Sequence, residues 1–137
     1  MARVVHFEIH AKDAARAMRF WSGTFGWTFS KWEGPHDYWV IKTGEADTEG
    51  IDGGMAIRHG PLPRETQPLN GSVCTLAVDK IETTLSAVVV AGGTVSVEKF
   101  PIHHVGWLAY FRDTEGNLFG IMEKDPTVVK PGIPEFP

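Results

Sequence analysis

His6, Glu8 and His10 occupy alternate positions near the start of the chain, inside the run 4–10. In a strand, side chains two apart share a face, so these three line one side while Val5, Phe7 and Ile9 line the other. Histidine titrates near neutral pH, and a carboxylate beside it holds or passes a proton. His6 and Glu8 are therefore the candidates for acid–base work, and a plain polar pair is the alternative. Asp52 stands among Gly50, Gly53 and Gly54, where missing side chains let a backbone or a ligand come close. It would either complete a weak cation site with His6 and Glu8 or remain a solvated carboxylate at a sheet edge.

Trp39, Trp107, Tyr110 and Met122 fall in strand-like segments. With Asp52 they form the candidate ligand-binding set, an aromatic wall with few polar groups; ordinary core packing is the competing reading. Alternation sends Trp107 and Tyr110 to opposite faces, so only one of them lines a given wall. His103 and His104 are adjacent in a loop after Pro101. In extended backbone they point apart and do not chelate as a pair, while one of them would serve as a lid. Cys74 is the single cysteine. It forms no internal disulfide and is expected as a buried filler facing a helix with Leu76 and Val78. No nucleophile elbow and no phosphate-cradling loop occur.

The elements that must position these residues come in two similar series. Shifting the chain on itself by about 67 positions lays His6 on Val73 and Gly26 on Gly93, with Gly54 near Gly120. The first series holds the strand 4–10 and then a helix capped by Asp13, whose stripe is Ala14, Ala17, Met18, Trp21 and Phe25. Gly23 and Gly26 end that helix, and strands follow at 27–32, 38–43 and 51–58. The second series holds a strand at 73–78 and a helix at 81–91 with Ile81, Leu85 and Val88 inward. Strands at 95–99, 106–112 and 117–123 complete it. The β-branched run Val88-Val89-Val90 opposes the helix locally; the repeat and the Gly92-Gly93 stop favour it.

The resulting expectation is an α+β chain, a single domain over residues 1–137 built from two paired βαβββ modules. Module one covers about 3–58 and module two about 72–124. A proline-bearing linker at 59–71 joins them, and a proline-rich tail occupies 125–137. Neither module covers its own sheet, so curled mixed sheets pair around a cleft. A homodimer would cover the remaining edges.

The chain carries a formal charge of −4 over 137 residues, with 42% hydrophobic and 22% charged positions. No two Lys or Arg residues are adjacent, which argues against nucleic acid as a partner. No apolar run reaches the roughly 18 residues needed to span a bilayer, which argues against a membrane. Strand-like sequence begins right after Arg3, leaving no room for a signal peptide, so a cytoplasmic setting is expected.

Val5-His6-Phe7-Glu8-Ile9, the helix end Phe20-Trp21 through Phe25-Gly26-Trp27, and the segment from Asp113 to Gly120 resemble the vicinal oxygen chelate superfamily. That group includes glyoxalase I, bleomycin-resistance proteins, fosfomycin-resistance enzymes and extradiol dioxygenases, and the likeness runs over residues 4–123. It implies the paired-module fold. It also implies, for metal-dependent members, one ligand on the first and one on the last strand of each module. Those four positions fall on His6, near Gly54, on Val73 and on Gly120, so one of four is intact. Glu123 lies three beyond Gly120 and faces the opposite side. The resemblance thus implies a small-molecule-binding member with no cofactor, akin to the drug-sequestering branch where acidic charge and aromatic rings hold a planar cation. The alternative it leaves open is a metal-dependent lyase, isomerase or dioxygenase-like enzyme, with a divalent ion at a site rebuilt from His6, Glu8 and Asp52.

Overall fold

The structure, a computed structural model, describes residues 3–64 and 72–132. In chain order the elements are β1 (Phe7–Ala11), α1 (Ala14–Phe25), β2 (Thr28–Lys31), β3 (Tyr38–Lys42) and β4 (Gly53–Ile57). The second series runs β5 (Cys74–Val78), α2 (Ile81–Val90), β6 (Thr94–Ile102), β7 (Gly106–Arg112) and β8 (Leu118–Lys124). This is the expected α+β succession of two βαβββ modules. Residues 65–71 of the expected linker and 133–137 of the expected tail lie outside the described residues.

Two four-stranded mixed sheets result, ordered β1-β4-β3-β2 and β5-β8-β7-β6. In each the first strand pairs in parallel with the last, and the other pairings are antiparallel. The compact units are residues 1–64 with 114–117, and 65–113 with 118–137. The turn between β7 and β8 therefore belongs to the first unit.

In the first unit the register stacks Ile9, Met55 and Trp39 on one face and Phe7, Gly53 and Ile41 beside them. Ile9, Ile41 and Met55 are buried. Helix α1 lies on this face: the Phe7 ring sits 5.5 Å from Trp27, which stacks at 4.1 Å on Trp21. The helix starts where Asp13 accepts from the Arg16 amide and stops at Gly26, whose φ of 72° closes a left-handed cap. In the second unit α2 turns Ile81, Leu85 and Val88 inward as expected. Val89 and Val90 point to solvent, so burial of every third or fourth residue outweighs the β-branched run. Lys80 offers α2 no side-chain cap; Glu123 Oε1 accepts from the Ile81 amide at 2.9 Å and does that work.

Three expectations change. Strand β1 begins at Phe7 rather than at residue 4, since Val4 and Val5 are both 77% exposed and have no strand partner. Cys74 is exposed, not a buried filler. It sits at the first position of an edge strand, where the sheet offers a neighbour on one side only. A thiol reagent should therefore modify Cys74 in the native protein without denaturant, and protection until unfolding would contradict this placement. The His103 and His104 rings do not diverge but stack at 3.9 Å. His104 leaves the extended region with φ of 58°, which turns its ring back alongside its neighbour. His103 Nδ1 accepts the Lys130 amide at 3.1 Å, fixing the chain after β8.

Candidate functional site

The face of the first sheet opposite α1 gathers the ionisable residues. Glu8 is level with Gly54 and Val40, and His10 with Ala56 and Tyr38. His6, one residue before β1, joins them: its Nε2 lies 3.0 Å from the Tyr38 hydroxyl. Glu8 does not pair with His6; its carboxylate meets His10 Nε2 at 2.7 Å, both side chains being about half exposed.

Tyr38 was missed by sequence reasoning, and it is central. A Cβ built on Gly54 would fall 1.7 Å from the Tyr38 hydroxyl oxygen, so the phenol lies directly over that glycine. Trp32 flanks Tyr38 edge-on, with ring centroids 6.4 Å apart at 84°. Its own ring lies over Gly34, where a Cβ would meet it at 1.9 Å. Burial first, and then the negative charge of Glu8, raise the Tyr38 pKa above the ordinary phenol value. The hydroxyl stays protonated across physiological pH and keeps its donor role.

The other candidates are dispersed. Trp39 shares the α1 face with Ile9 and Met55, away from His6 and Glu8. The Lys31 ammonium covers its ring at 5.5 Å. Trp107 lies on the α2 face of the second sheet, level with Glu123 and under Lys99 at 4.5 Å. The two tryptophans are therefore already occupied by cations of their own modules. Tyr110 and Met122 do share the helix-free face of the second sheet, level with Gly120 and Leu108 respectively. Tyr110 stacks on Phe100 at 6.3 Å. A Cβ at Gly120 would meet Thr75 Oγ1 at 2.8 Å and the Tyr110 ring at 3.3 Å, so each module rests a tyrosine against a strand glycine. Asp52 is spent locally: its Oδ1 accepts the Thr43 amide at 2.8 Å and faces the Thr43 hydroxyl at 3.3 Å.

The donors do not make up a metal site of the kind the resemblance implies. Val73, Gly54 and Gly120 carry no ligand atom, and Tyr38 covers Gly54. Among the described residues no three His, Cys, Asp or Glu side chains are grouped to hold an ion.

The pattern defines a class: two βαβββ modules, each with a helix-backed sheet and an open face bearing aromatic and polar side chains. Residues 3–121 match the model of the glyoxalase/bleomycin resistance protein/dioxygenase superfamily, and the chain belongs to that superfamily. A glyoxylase-like domain-containing protein of Didymella fabae is 32% identical over 116 residues, covering 83% of this chain and 88% of that one. Among solved structures, the fosfomycin resistance protein FosX of Listeria monocytogenes superposes with a TM-score of 0.69 at 13% identity, covering 91% of this chain and 93% of that one. A glyoxalase/bleomycin resistance protein/dioxygenase family enzyme of Burkholderia phytofirmans gives 0.64 at 16%, covering 90% and 100%. At such identities these structures speak for the fold alone. No helix among the described residues is long and apolar enough to cross a membrane.

Proposed function

We propose that this chain is a small-molecule-binding member of its superfamily that works without the divalent ion of its metal-dependent relatives. The observation that carries the reading is Tyr38 laid over Gly54 and bonded to His6. The place from which a last-strand ligand would project is filled by a neutral hydrogen-bonding group. His6, the one family ligand position kept in this sequence, has a phenol as its partner. Trp32 and Tyr38 supply aromatic surface, and Glu8 and His10 a polar border. That combination suits a compact organic ligand better than a polymer. The helix-free face with Tyr110 and Met122 is offered as the second module's ligand surface, and a cytoplasmic homodimer is the proposed working form.

Metal-dependent catalysis is the second reading. It is favoured by the retained His6 and by a FosX structure that holds Mn(II) and 1S,2S-dihydroxypropylphosphonic acid. Elemental analysis of freshly purified wild type and His6→Ala separates the two. Less than about 0.1 ion per chain in both, even after incubation with Zn, Mn, Fe and Ni salts, is the expected result. About one ion per chain, lost in His6→Ala, would overturn the metal-free reading and direct the work to isomerase and dioxygenase assays.

A further inference from the structure

We infer that the groove between α2 and β6 is a second ligand site, and that its ligand is a compact alkylammonium, a positive nitrogen on an aliphatic body. The groove lies wholly within the second unit, and the inference does not rest on the Tyr38 face.

The groove encloses about 450 Å³, a volume in the range of small-ligand sites. Helix α2 lines it with Glu82, Leu85, Ser86 and Val89, and β6 with Val95 and Glu98. Strand β6 is at the sheet edge, with β7 as its one neighbour. Simple alternation would send Val95 and Glu98 to opposite faces. Register shifts between Val95 and Val97, and again between Val97 and Phe100, break that alternation. Bulges of this kind re-aim side chains, and here both residues reach the groove.

Both ends of the trough are closed. After α2 the chain turns back, and the Gly93 amide bonds the Val88 carbonyl at 2.9 Å. At the other end Lys99 of β6 bonds Glu82 of α2, also at 2.9 Å. Helical rise puts Glu82 and Val89 about 10 Å apart along α2. That length suits a short alkyl chain and stops a polymer from running through. The apolar walls, Leu85, Val89 and Val95, are aliphatic and offer no ring to stack on. Val89 is 55% exposed, so methylenes laid against it take apolar surface out of water.

Charge sets the head group. Glu82 is taken by Lys99, whose ammonium also lies over the Trp107 ring at 4.5 Å. Glu98 has no ion-pair or hydrogen-bond partner among the described residues. Arg112, level with Thr94, has the parity of Tyr110 and stands on the other face. Helix α2 has no basic residue in its last turn, so the partial negative charge of that end favours the same sign. Glu98 is exposed. Its ion pair therefore selects a cation over other head groups, while the aliphatic walls supply most of the affinity.

Hexylammonium, 1-hexanol and hexanoate share a chain and differ in head group, and so serve as probes. Each is titrated into the full chain and followed by the methyl resonances of Leu85, Val89 and Val95 in NMR spectra. Hexylammonium should bind tightest, with a dissociation constant of about 1 mM. In Glu98→Gln its affinity should fall about fivefold, to that of hexanol, while hexanol itself is unchanged. The preference for hexylammonium should also shrink as salt is raised to about 0.5 M. Ser86→Phe, which fills the trough from an exposed helix position, should abolish binding of all three probes. Binding of hexanol or hexanoate as tight as that of hexylammonium would overturn the inference. So would full affinity in Ser86→Phe, an unchanged preference in Glu98→Gln, or no methyl response to hexylammonium. Thermal melts confirm that each variant is folded.

Discussion

Replacing Glu115 with alanine is expected to destabilise the protein by about 3 kcal/mol, roughly 10 °C in melting temperature for a chain of this size. The Glu115 side chain is fully buried and Arg16 is 39% exposed. Oε2 accepts Arg16 Nε at 2.7 Å and the Thr114 hydroxyl at 2.9 Å; Oε1 accepts Arg16 Nη2 and the Asp13 amide, each at 3.0 Å. Removing the carboxylate leaves an arginine and an amide at the start of α1 without these acceptors. Partial exposure lets Arg16 rehydrate, which holds the cost to the low end of the range for breaking a buried pair. Neighbouring bonds anchor the same turn: Asn117 donates to the His10 carbonyl at 2.9 Å and accepts from Arg58 at 2.9 Å. The effect therefore reaches the end of β1, two residues from Glu8.

The acid limb checks the cause. Burial by itself would raise the Glu115 pKa. The bonds from Arg16, the Asp13 amide and Thr114, with the Arg16 charge, overcome it and leave the pKa below the usual 4.5. A carboxylate lowered on folding stabilises above its unfolded pKa and loses that contribution as pH falls through the folded one. The gap between wild type and Glu115→Ala, read by denaturant melts, should thus be full at neutral pH and narrow below about pH 4. A gap of constant size down to acid pH would assign the loss to packing rather than to the carboxylate.

Gly106→Ala should cost about 3 kcal/mol or more, through the backbone rather than through lost contacts. Gly106 opens β7 with φ of 151°, outside what an L side chain adopts comfortably. A Cβ there would also lie 2.0 Å from the Glu123 carbonyl oxygen and 2.8 Å from the Asp125 amide. Both neighbours are main chain of the paired strand end and cannot swing away as a side-chain tip would. Relief requires parting β7 from β8 where Gly106 faces Lys124, next to the Trp107–Glu123 pair. Gly23→Ala is the control: the position is inside α1 with nothing within 4 Å of the added methyl. It should stabilise by about 0.5–1 kcal/mol. Equal effects of the two substitutions in denaturant melts would refute the backbone argument.

Periodicity carried the fold a long way. Alternation in the first strand put Phe7 and Ile9 opposite Glu8, and the sheet register agrees. Helical spacing marked Ala17 and Trp21 in α1 and Ile81, Leu85 and Val88 in α2 as inward, and all five are buried. The site was less legible. Trp39 drew notice by its size, yet it shares parity with buried Ile41 and so stands on the helix-backed face. The same parity rule pointed to Tyr38. Gly54 and Gly34 were further signals, since a glycine in or near a strand leaves room for a ring from its neighbour.

Amino-acid order alone thus determined the succession of strands and helices, the faces of β1 and α1, and the loss of ligand atoms at Val73, Gly54 and Gly120. Those properties are local or compositional, and period and residue type suffice to define them. Only tertiary structure decided that Tyr38 covers Gly54, that His6 takes a phenol and Glu8 takes His10 as partner, and that Glu115 and Glu123 serve the two helix starts. Apart from the Glu8–His10 bond, these contacts join residues 16 or more positions apart. Strand register and rotamer choice settle each one, and no local pattern encodes either.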